Sequence, residues 1–214
     1  MSLEIRRLGR IRYEDALALQ NQLVDELIAC NGRETVLLLE HEPVYTIGRT
    51  RDQSSLRSPA HLPHRVIETN RGGQATYHGP GQLVGYPILD LNRRGRDLHA
   101  YLRTLESVLI ELCAAFGVSA RRRDGLTGVW VENRKIASLG VGVRKWVSMH
   151  GFALNVTAES LDPFASITPC GITDVEMTCL ANEAATPIPI ESVLSRAASL
   201  FQESLQLREG HQRD

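Results

Sequence analysis

The stretch RGGQATYHGPGQLVGY, residues 71–86, is the part of the sequence on which the interpretation of the whole chain depends. It contains five glycines and one proline, too many for a buried strand, yet it carries too many functional side chains for a flexible linker. The side chains between its glycines include those of Arg71, Gln74, Thr76, Tyr77, His78 and Gln82. Glycine lets a backbone approach a ligand closely, and polar groups can then orient that ligand. The stretch predicts either a ligand-binding loop or a pair of tight turns that join two strands.

Hydrophobic periodicity predicts the elements on both sides of this loop. The predicted elements are strands at 35–40, 44–47, 65–68 and 83–91, helices at 13–30, 98–116 and 190–205, and a hairpin that continues as a meander over 127–156. A polar segment with two prolines at 49–64 predicts a surface loop. Helices separated by strand pairs, rather than by single strands, indicate an α+β domain with a mostly antiparallel or mixed sheet.

Length and composition describe an ordinary globular chain of 214 residues with a formal net charge of −1. One core suffices for this length, so we expect residues 1–214 to form a single domain. A charge near zero gives no indication of nucleic-acid binding, and no apolar run reaches the roughly 20 residues that span a bilayer. The N-terminal residues lack the apolar segment of a secretory signal. We therefore expect a cytoplasmic protein that binds neither nucleic acid nor membrane.

The four cysteines show no CxxC spacing, which argues against a zinc site and against a disulfide framework. Cys113 lies among the leucines of a predicted helix, Cys179 stands beside apolar residues, and Cys30 sits at a helix end. We expect these three to be free thiols without a chemical role. Cys170 differs because a proline and a glycine flank it and place it in a turn, where backbone amides can face a reacting carbonyl. Cys170 is therefore the candidate nucleophile.

A nucleophilic cysteine needs a nearby cation or base, because a thiol with the ordinary pKa of about 8.5 is only a few per cent thiolate at neutral pH. The sequence offers His78, His150 and Lys135, and spacing alone does not decide among them. Lysine is rare in this chain: of 24 Lys and Arg residues only Lys135 and Lys145 are lysine, which leaves 22 arginines. Where arginine is otherwise used, a lysine is favoured if the task needs a group that can lose its proton.

Several motifs occur in register along most of the chain. They are LLLEHEP at 37–43, RGGQATYHGPGQ at 71–82, GVWV at 128–131, KIASLG at 135–140, HGFALN at 150–155 and ITPCG at 167–171. In order and spacing they resemble the octanoyltransferases, a family also called lipoate-protein ligase B. Several motifs in register are far more specific than any one of them.

The resemblance implies a fold similar to that of the biotin and lipoate protein ligases: an α+β domain with a large mixed sheet, a smaller sheet and flanking helices. It implies transfer of an octanoyl group from acyl carrier protein to a lysine of lipoyl domains, the first step of endogenous protein lipoylation. The expected acceptors are the lipoyl domains of 2-oxoacid dehydrogenase E2 subunits and the glycine cleavage H protein. No cofactor and no metal are expected, because the thioester donor is already activated.

Carried over by position, the resemblance assigns the acyl-accepting role to Cys170 and the role of its partner to Lys135. The residues that match the family's acyl-binding pocket are Arg71, Gly72, Gly73, Gln74, Ala75, Thr76, Tyr77, His78, Ser138, Leu139, Gly140, Gly151, Phe152 and Ala153. The chemistry inferred from the residues agrees with this assignment, since a lysine can both stabilise a thiolate and move protons.

Two other functions stay open on the sequence. An ATP-dependent lipoate or biotin protein ligase would use the same fold, but an adenylating enzyme has no need of the cysteine between Pro169 and Gly171. A non-catalytic module that binds lipoyl domains or acylated carrier would keep its role without Cys170. The chain has no P-loop motif and no obvious cluster of metal-binding residues, which favours the transferase.

Overall fold

The computed structural model of the protein describes residues 3–49, 53–56, 62–169 and 175–209. The helices in these ranges are α1 (Tyr13–Ile28), α2 (Leu98–Ala114), α3 (Leu180–Glu183) and α4 (Ile190–Glu209). None of them combines the length and the apolar character that a membrane-crossing helix needs. The strands are β1 (Glu4–Ile11), β2 (Thr35–His41), β3 (Val44–Ile47), β4 (Val66–Glu68), β5 (Thr76–His78), β6 (Gln82–Ile88), β7 (Arg121–Arg123), β8 (Leu126–Val131), β9 (Arg134–Arg144), β10 (Val147–Asn155) and β11 (Glu176–Met177).

A large mixed sheet forms the centre of the protein. Across the described ranges it has eight strands in the order β1-β2-β6-β10-β9-β8-β7, and β11 pairs with β9 beside this path. β1 runs parallel to β2, and β11 runs parallel to β9, whereas the other neighbours are antiparallel. The chain from β8 to β10 is a continuous meander, as the period-2 pattern of 127–156 predicts.

Helices cover both faces of this sheet. On one face α1 packs on β6 and β10 through a cluster that includes Leu23, Val24 and Val84. On the other face α2 and α4 bury the larger cluster, in which the rings of Phe152 and Phe201 stack with centroids 5.3 Å apart. Burial of this apolar surface is the main stabilising contribution to the fold.

A smaller sheet of three strands, again counted over the described ranges, stands beside the large one in the order β4-β3-β5. Its own apolar cluster centres on Tyr45, Tyr77 and Phe164, with ring centroids 5.5 Å apart for the two tyrosines and 5.8 Å apart for Tyr77 and Phe164. Because the glycine-rich stretch contains β5 of the small sheet and the beginning of β6 of the large sheet, it connects the two sheets.

The predicted fold class is confirmed: the architecture is α+β, with a large mixed sheet, a smaller sheet and flanking helices. Three local predictions were wrong. The glycine-rich stretch contains a buried strand, Thr76–His78, whose side chains are all covered. Ser55 and Leu56, in the segment expected to be a surface loop, are buried because they contact 167–168 and Ala75. The strands β1, β7 and β11 were not expected at all.

Candidate active site

A cavity lies where the glycine-rich stretch crosses the face of the large sheet that α1 covers. It encloses about 420 Å³ of empty space, part of which is at its open mouth. Its lining comes from α1, the glycine-rich stretch, β6, β9 and β10, and consists of Tyr13, Arg71, Gly73, Thr76, His78, Tyr86, Ser138, Leu139, Gly140, His150, Gly151, Phe152 and Ala153.

Arg71 fixes the glycine-rich stretch to the small sheet. Its Nη2 donates to the backbone oxygens of Thr46 and Gln74 at 2.7 and 2.8 Å, and its Nη1 donates to the Gly72 oxygen at 2.9 Å. The side chain is only 7% exposed, so the buried charge is compensated by oxygens of neighbouring segments. Arg71 therefore shapes the loop and also brings a fixed positive charge to the cavity wall.

Two glycines are required for the loop to reach the sheet. Gly73 has φ +83°, a left-handed conformation that side chains disfavour. A Cβ on Gly140 would lie 2.9 Å from the Gly72 oxygen, so any side chain there would push the loop away from β9. The Gly72 N–H then donates to the Val141 oxygen at 2.9 Å, which closes the junction. The glycines allow the backbone of the glycine-rich stretch to lie close to the backbone of β9.

Most of the residues predicted to bind the acyl chain surround this one cavity. Those that line it are Arg71, Gly73, Thr76, His78, Ser138, Leu139, Gly140, Gly151, Phe152 and Ala153. Gly72, Gln74, Ala75 and Tyr77 do not line it. They support it instead: Gly72 and Gln74 accept from Arg71, Ala75 donates to Ser55 Oγ at 3.2 Å, and Tyr77 packs in the small-sheet cluster.

Histidines on the cavity wall are uncharged. Burial lowers the pKa of His78 well below its ordinary value, and His41 and the Arg71 cation lower it further. Burial also lowers the pKa of His150 to about 3, with a smaller contribution from Arg71. A base of such low pKa abstracts protons poorly at neutral pH. Of the three partners that the sequence offers Cys170, the two histidines are therefore suited to hydrogen bonding rather than to proton transfer.

Polar atoms on the cavity wall are available to a ligand. Within the described part of the chain, three buried atoms of lining residues have no hydrogen-bond partner: Thr76 Oγ1, Ser138 Oγ and His150 Nδ1. The two hydroxyls can donate to a carbonyl oxygen, and the histidine nitrogen can accept. A ligand that combines an apolar chain with a carbonyl group fits this wall.

The end wall of the cavity includes residues that sequence reasoning did not select. Tyr13 and Tyr86 line the cavity, and behind them His41 accepts from the Tyr86 hydroxyl at 2.7 Å and donates through Nδ1 to the Ile11 oxygen at 3.0 Å. Burial lowers the pKa of His41 to about 4 and raises the pKa of Tyr86 well above its ordinary value. His41 could have been selected from the sequence because it lies in the motif LLLEHEP, whereas no motif includes Tyr13 of α1.

Lys135 is turned towards the cavity face by a β-bulge. Trp130 pairs with Lys135 while the preceding Val129 pairs with Ala137, so β9 has one extra residue there. Val129 and Ala137 belong to the cluster under α2 and α4, which places Trp130 and Lys135 on the opposite face. That face also carries Ser138, because Ala153, which lies opposite Ser138 on β10, packs in the cluster under α1. Lys135 and Ser138 thus share one face although three positions separate them.

The Lys135 side chain is 1% exposed and lies in a shaped space. Its Nζ is 5.3 Å from the centroid of the Trp130 ring, within the range of a cation–π contact. Gly128 has φ +136°, and a Cβ there would lie 2.6 Å from Lys135 Cε. Gly128 and Trp130, both in the motif GVWV, therefore determine where the lysine lies. By contrast Lys145, the other lysine of the chain, is exposed in a turn.

Cys170, the predicted nucleophile, lies outside the described residues, together with 171–174. On either side of this segment, Pro169 and Val175 line one surface depression. Shortly after it Met177 pairs with Lys135 in the β11–β9 ladder, and the Thr178 N–H donates to the Lys135 oxygen at 2.9 Å. The described chain that follows Cys170 is therefore attached to the strand that carries Lys135.

Two of the other three cysteines, Cys113 and Cys179, are buried and placed as inert thiols. Cys30, Cys113 and Cys179 form no disulfide. Burial raises the pKa of the Cys113 thiol to about 12 and also raises the pKa of the Cys179 thiol. Within the described ranges, no three His, Cys, Asp or Glu side chains come together as a metal site.

Comparison with known proteins shows what this architecture resembles. The profile of the lipoyl protein ligase A/B catalytic domain family matches residues 12–202. A protein of Geobacter metallireducens named octanoyltransferase is 55% identical over 197 residues, which cover 92% of this chain and 91% of that protein. A second octanoyltransferase, from Citrifermentans bemidjiense, is 53% identical over 199 residues, 93% of this chain and 95% of the relative. A solved putative lipoate protein ligase from T. acidophilum shares the fold with a TM-score of 0.74 at 16% identity, covering 96% of this chain and 86% of that one.

Proposed function

The chain belongs to the lipoyl protein ligase A/B catalytic domain family, and within it to the octanoyltransferases. From this premise we propose that residues 1–214 form one catalytic domain that moves an octanoyl group from acyl carrier protein to a lysine of lipoyl domains. The proposed acceptors are the lipoyl domains of 2-oxoacid dehydrogenase E2 subunits and the glycine cleavage H protein. Cys170 carries the octanoyl group as a thioester between the two half-reactions.

The placement of Lys135 is the observation that carries this proposal. The lysine is buried, it lies on the same face of the large sheet as the cavity residue Ser138, and its strand pairs with β11, which follows Cys170 in the chain. A buried lysine beside a thiol can stabilise the thiolate and can also give and take protons. The uncharged histidines of the cavity are less suited to either task.

The proposed reaction has two steps. In the first, the Cys170 thiolate attacks the thioester carbonyl of the octanoyl carrier, and the carrier thiol leaves with a proton from the Lys135 ammonium. In the second, the amine of the acceptor lysine attacks the Cys170 thioester, neutral Lys135 takes the proton that the amine loses, and the Cys170 thiolate is released. Thioester exchange is nearly level in free energy and amide formation is downhill, so the transfer needs no nucleotide.

The cavity would hold the octanoyl chain during both steps. Its wall combines apolar groups such as Ala153 with the hydroxyls of Thr76 and Ser138, which have no other partner in the described chain. The apolar groups exclude water from the chain, and the hydroxyls can donate to a carbonyl oxygen. Backbone amides beside Cys170 or in the glycine-rich stretch would hold the oxyanion of the transition state.

Transfer without nucleotide is the first expected result. With octanoyl carrier protein as sole donor and a metal chelator present, a lipoyl domain should gain one octanoyl group, measured by its intact mass. A ligase would need ATP and magnesium to activate free octanoate as an acyl-adenylate. Modification that requires ATP and free octanoate would assign the ligase function, and binding of either protein without modification would assign the non-catalytic module.

An exposed basic strand is the proposed docking site of the acidic carrier. β7, an edge strand of the large sheet, consists of Arg121, Arg122 and Arg123, of which Arg122 is paired with Glu106 at 3.0 Å. The Arg123 guanidinium lies 5.3 Å from the centroid of the Trp130 ring, which Lys135 also contacts. Strand β7 is therefore close to the proposed catalytic lysine, and positive charge there can steer a negatively charged partner.

A second arginine group, at 93–96, is largely compensated by acidic side chains. Arg94 is 2.5 Å from Glu34, with only 15% and 7% of the two side chains exposed, and Arg93 is 3.3 Å from Asp90. We therefore expect Arg121→Glu to lower the association rate of octanoyl carrier protein about tenfold at low salt and to flatten its salt dependence. Arg93→Glu is the matched control and should change little. Equal effects of both variants, or none, would contradict a docking role of β7.

A further inference from the structure

A buried chain of hydrogen bonds connects the cavity wall to the strand of Lys135. His78 Nδ1 is 2.9 Å from Gln82 Oε1, and Gln82 Nε2 is 2.9 Å from Asn155 Oδ1. Asn155 Nδ2 donates to the Thr178 oxygen at 3.0 Å, and the Thr178 N–H donates to the Lys135 oxygen at 2.9 Å. Gln82 and Asn155 are each 1% exposed, so water does not compete for these bonds.

The direction of this chain is determined by the Thr178 carbonyl. A carbonyl oxygen only accepts, so the Asn155 group that faces it must be the NH₂, and Asn155 Oδ1 must face Gln82. Gln82 then directs its NH₂ to Asn155, and the same NH₂ reaches the Tyr77 oxygen at 3.3 Å. Gln82 Oε1 is left facing His78, and it also only accepts. His78 Nδ1 must therefore carry the proton.

His150 has the opposite tautomer for a similar reason. Its Nε2 is 2.6 Å from Asn70 Oδ1, and the Asn70 NH₂ faces Met149 Sδ at 3.5 Å. The oxygen of Asn70 therefore faces the ring, and His150 Nε2 carries the proton. Nδ1 of His150 is a buried acceptor without a partner among the described residues. Both histidines line the cavity, and in these tautomers the second ring nitrogen of each, Nε2 of His78 and Nδ1 of His150, is a hydrogen-bond acceptor.

We propose that Asn155 is a positioning residue for octanoyl transfer: its carboxamide fixes His78 as the Nδ1-protonated tautomer and ties Thr178 to the strand of Lys135. The effect of Asn155 on the reaction rests on the proposed function, but the tautomer of His78 does not. Asn155 does not line the cavity; it acts through Gln82 on one side and through the Thr178 backbone on the other. One side chain thereby sets both the hydrogen-bonding character of the cavity wall and the attachment of the chain that follows Cys170.

Histidine NMR tests the tautomer directly. In long-range ¹H–¹⁵N spectra of protein labelled at histidine, His78 should show the Nδ1–H pattern and His150 the Nε2–H pattern. Asn155→Leu, which is similar in size but cannot bond, should convert His78 to a mixture of tautomers and leave His150 unchanged. An Nε2–H pattern of His78 in the wild type, or an unchanged His78 in the variant, would overturn the proposal whatever the activity is.

Asn155→Asp tests the effect on transfer, because a protonated carboxyl can replace the carboxamide and an ionised one cannot. The carboxyl would face the Thr178 oxygen and the Gln82 NH₂. The charged groups nearby are Glu183, which accepts from Thr178 Oγ1 at 2.6 Å, and Arg134, which is paired with Glu183. Burial raises the pKa of a carboxyl, so the kcat/KM ratio of variant to wild type should rise at least tenfold between about pH 8.5 and 5.5.

Asn133→Asp, in the exposed hairpin turn, is the matched control and should give a ratio that does not change with pH. A flat ratio for Asn155→Asp as well would refute the positioning role. Wild-type protein without transfer activity would instead refute the proposed function, and the NMR result would still decide whether Asn155 sets the tautomer of His78.

Discussion

Cys170→Ala should lower kcat/KM for octanoyl transfer by about 10⁴-fold or more, the size of effect that removal of a member of a nucleophile–base unit has in other enzymes. Alanine has no atom that can form the acyl-enzyme, so both half-reactions lose their common intermediate. The measurement is the rate of mass gain of a lipoyl domain with octanoyl carrier protein as donor. In parallel, wild-type protein mixed with donor alone should gain an octanoyl adduct that hydroxylamine removes, and the variant should gain none.

Cys113→Ala and Cys179→Ala are the matched controls, because both thiols are fully buried and burial raises the pKa of each. Neither can supply a useful fraction of thiolate at neutral pH, so both variants should keep near-normal transfer. Thermal unfolding of all three variants separates loss of chemistry from loss of fold. Transfer by Cys170→Ala at a rate comparable to wild type would show that the nucleophile is another group.

The fold class could be predicted from the sequence because long periodic segments determine it. The helices α1, α2 and α4 and the meander of β8, β9 and β10 each carry a clear apolar period. The strands that the sequence did not predict lack such a period. β1 reads EIRRLGRI and lies at a half-exposed sheet edge, β7 is three exposed arginines, and β11 has only two residues. Pairing with a neighbour, rather than local pattern, makes these segments strands.

The site shows the same division between local and long-range information. The motifs identified Lys135 and most of the cavity lining, but regular alternation would place Lys135 and Ser138 on opposite faces of β9. Only the bulge against β8 brings them to one face, and nothing in the local sequence indicates it. Tyr13 lines the cavity because α1 packs across β6 and β10, a contact between segments distant in the chain. Side chains contributed by tertiary packing are not visible in one sequence.

Lys135→Arg should lower kcat for transfer about 10²-fold or more, the typical contribution of one general acid–base group. Arginine keeps the positive charge but stays protonated at any usable pH, so it can stabilise a thiolate and cannot exchange protons with the carrier thiol or the incoming amine. Lys135→Met removes both functions and should lose more. Lys145→Arg is the matched control, since the second lysine of the chain is exposed and should tolerate the change.

Alkylation of Cys170 by iodoacetamide separates the two roles of Lys135, because its rate follows the thiolate fraction and needs no proton transfer. The site of modification is identified by peptide mass, since Cys30 is also exposed. We expect Lys135→Arg to retain most of the alkylation rate while transfer is lost, and Lys135→Met to lose both. Gly128 and Trp130 leave little space for a guanidinium, so unfolding temperatures must accompany the rates.

Near-normal transfer by Lys135→Arg would reduce the lysine to an electrostatic role. Loss of alkylation together with transfer would mean that arginine no longer places its charge beside the thiol, and the smaller Lys135→Met variant would then measure what the charge contributes.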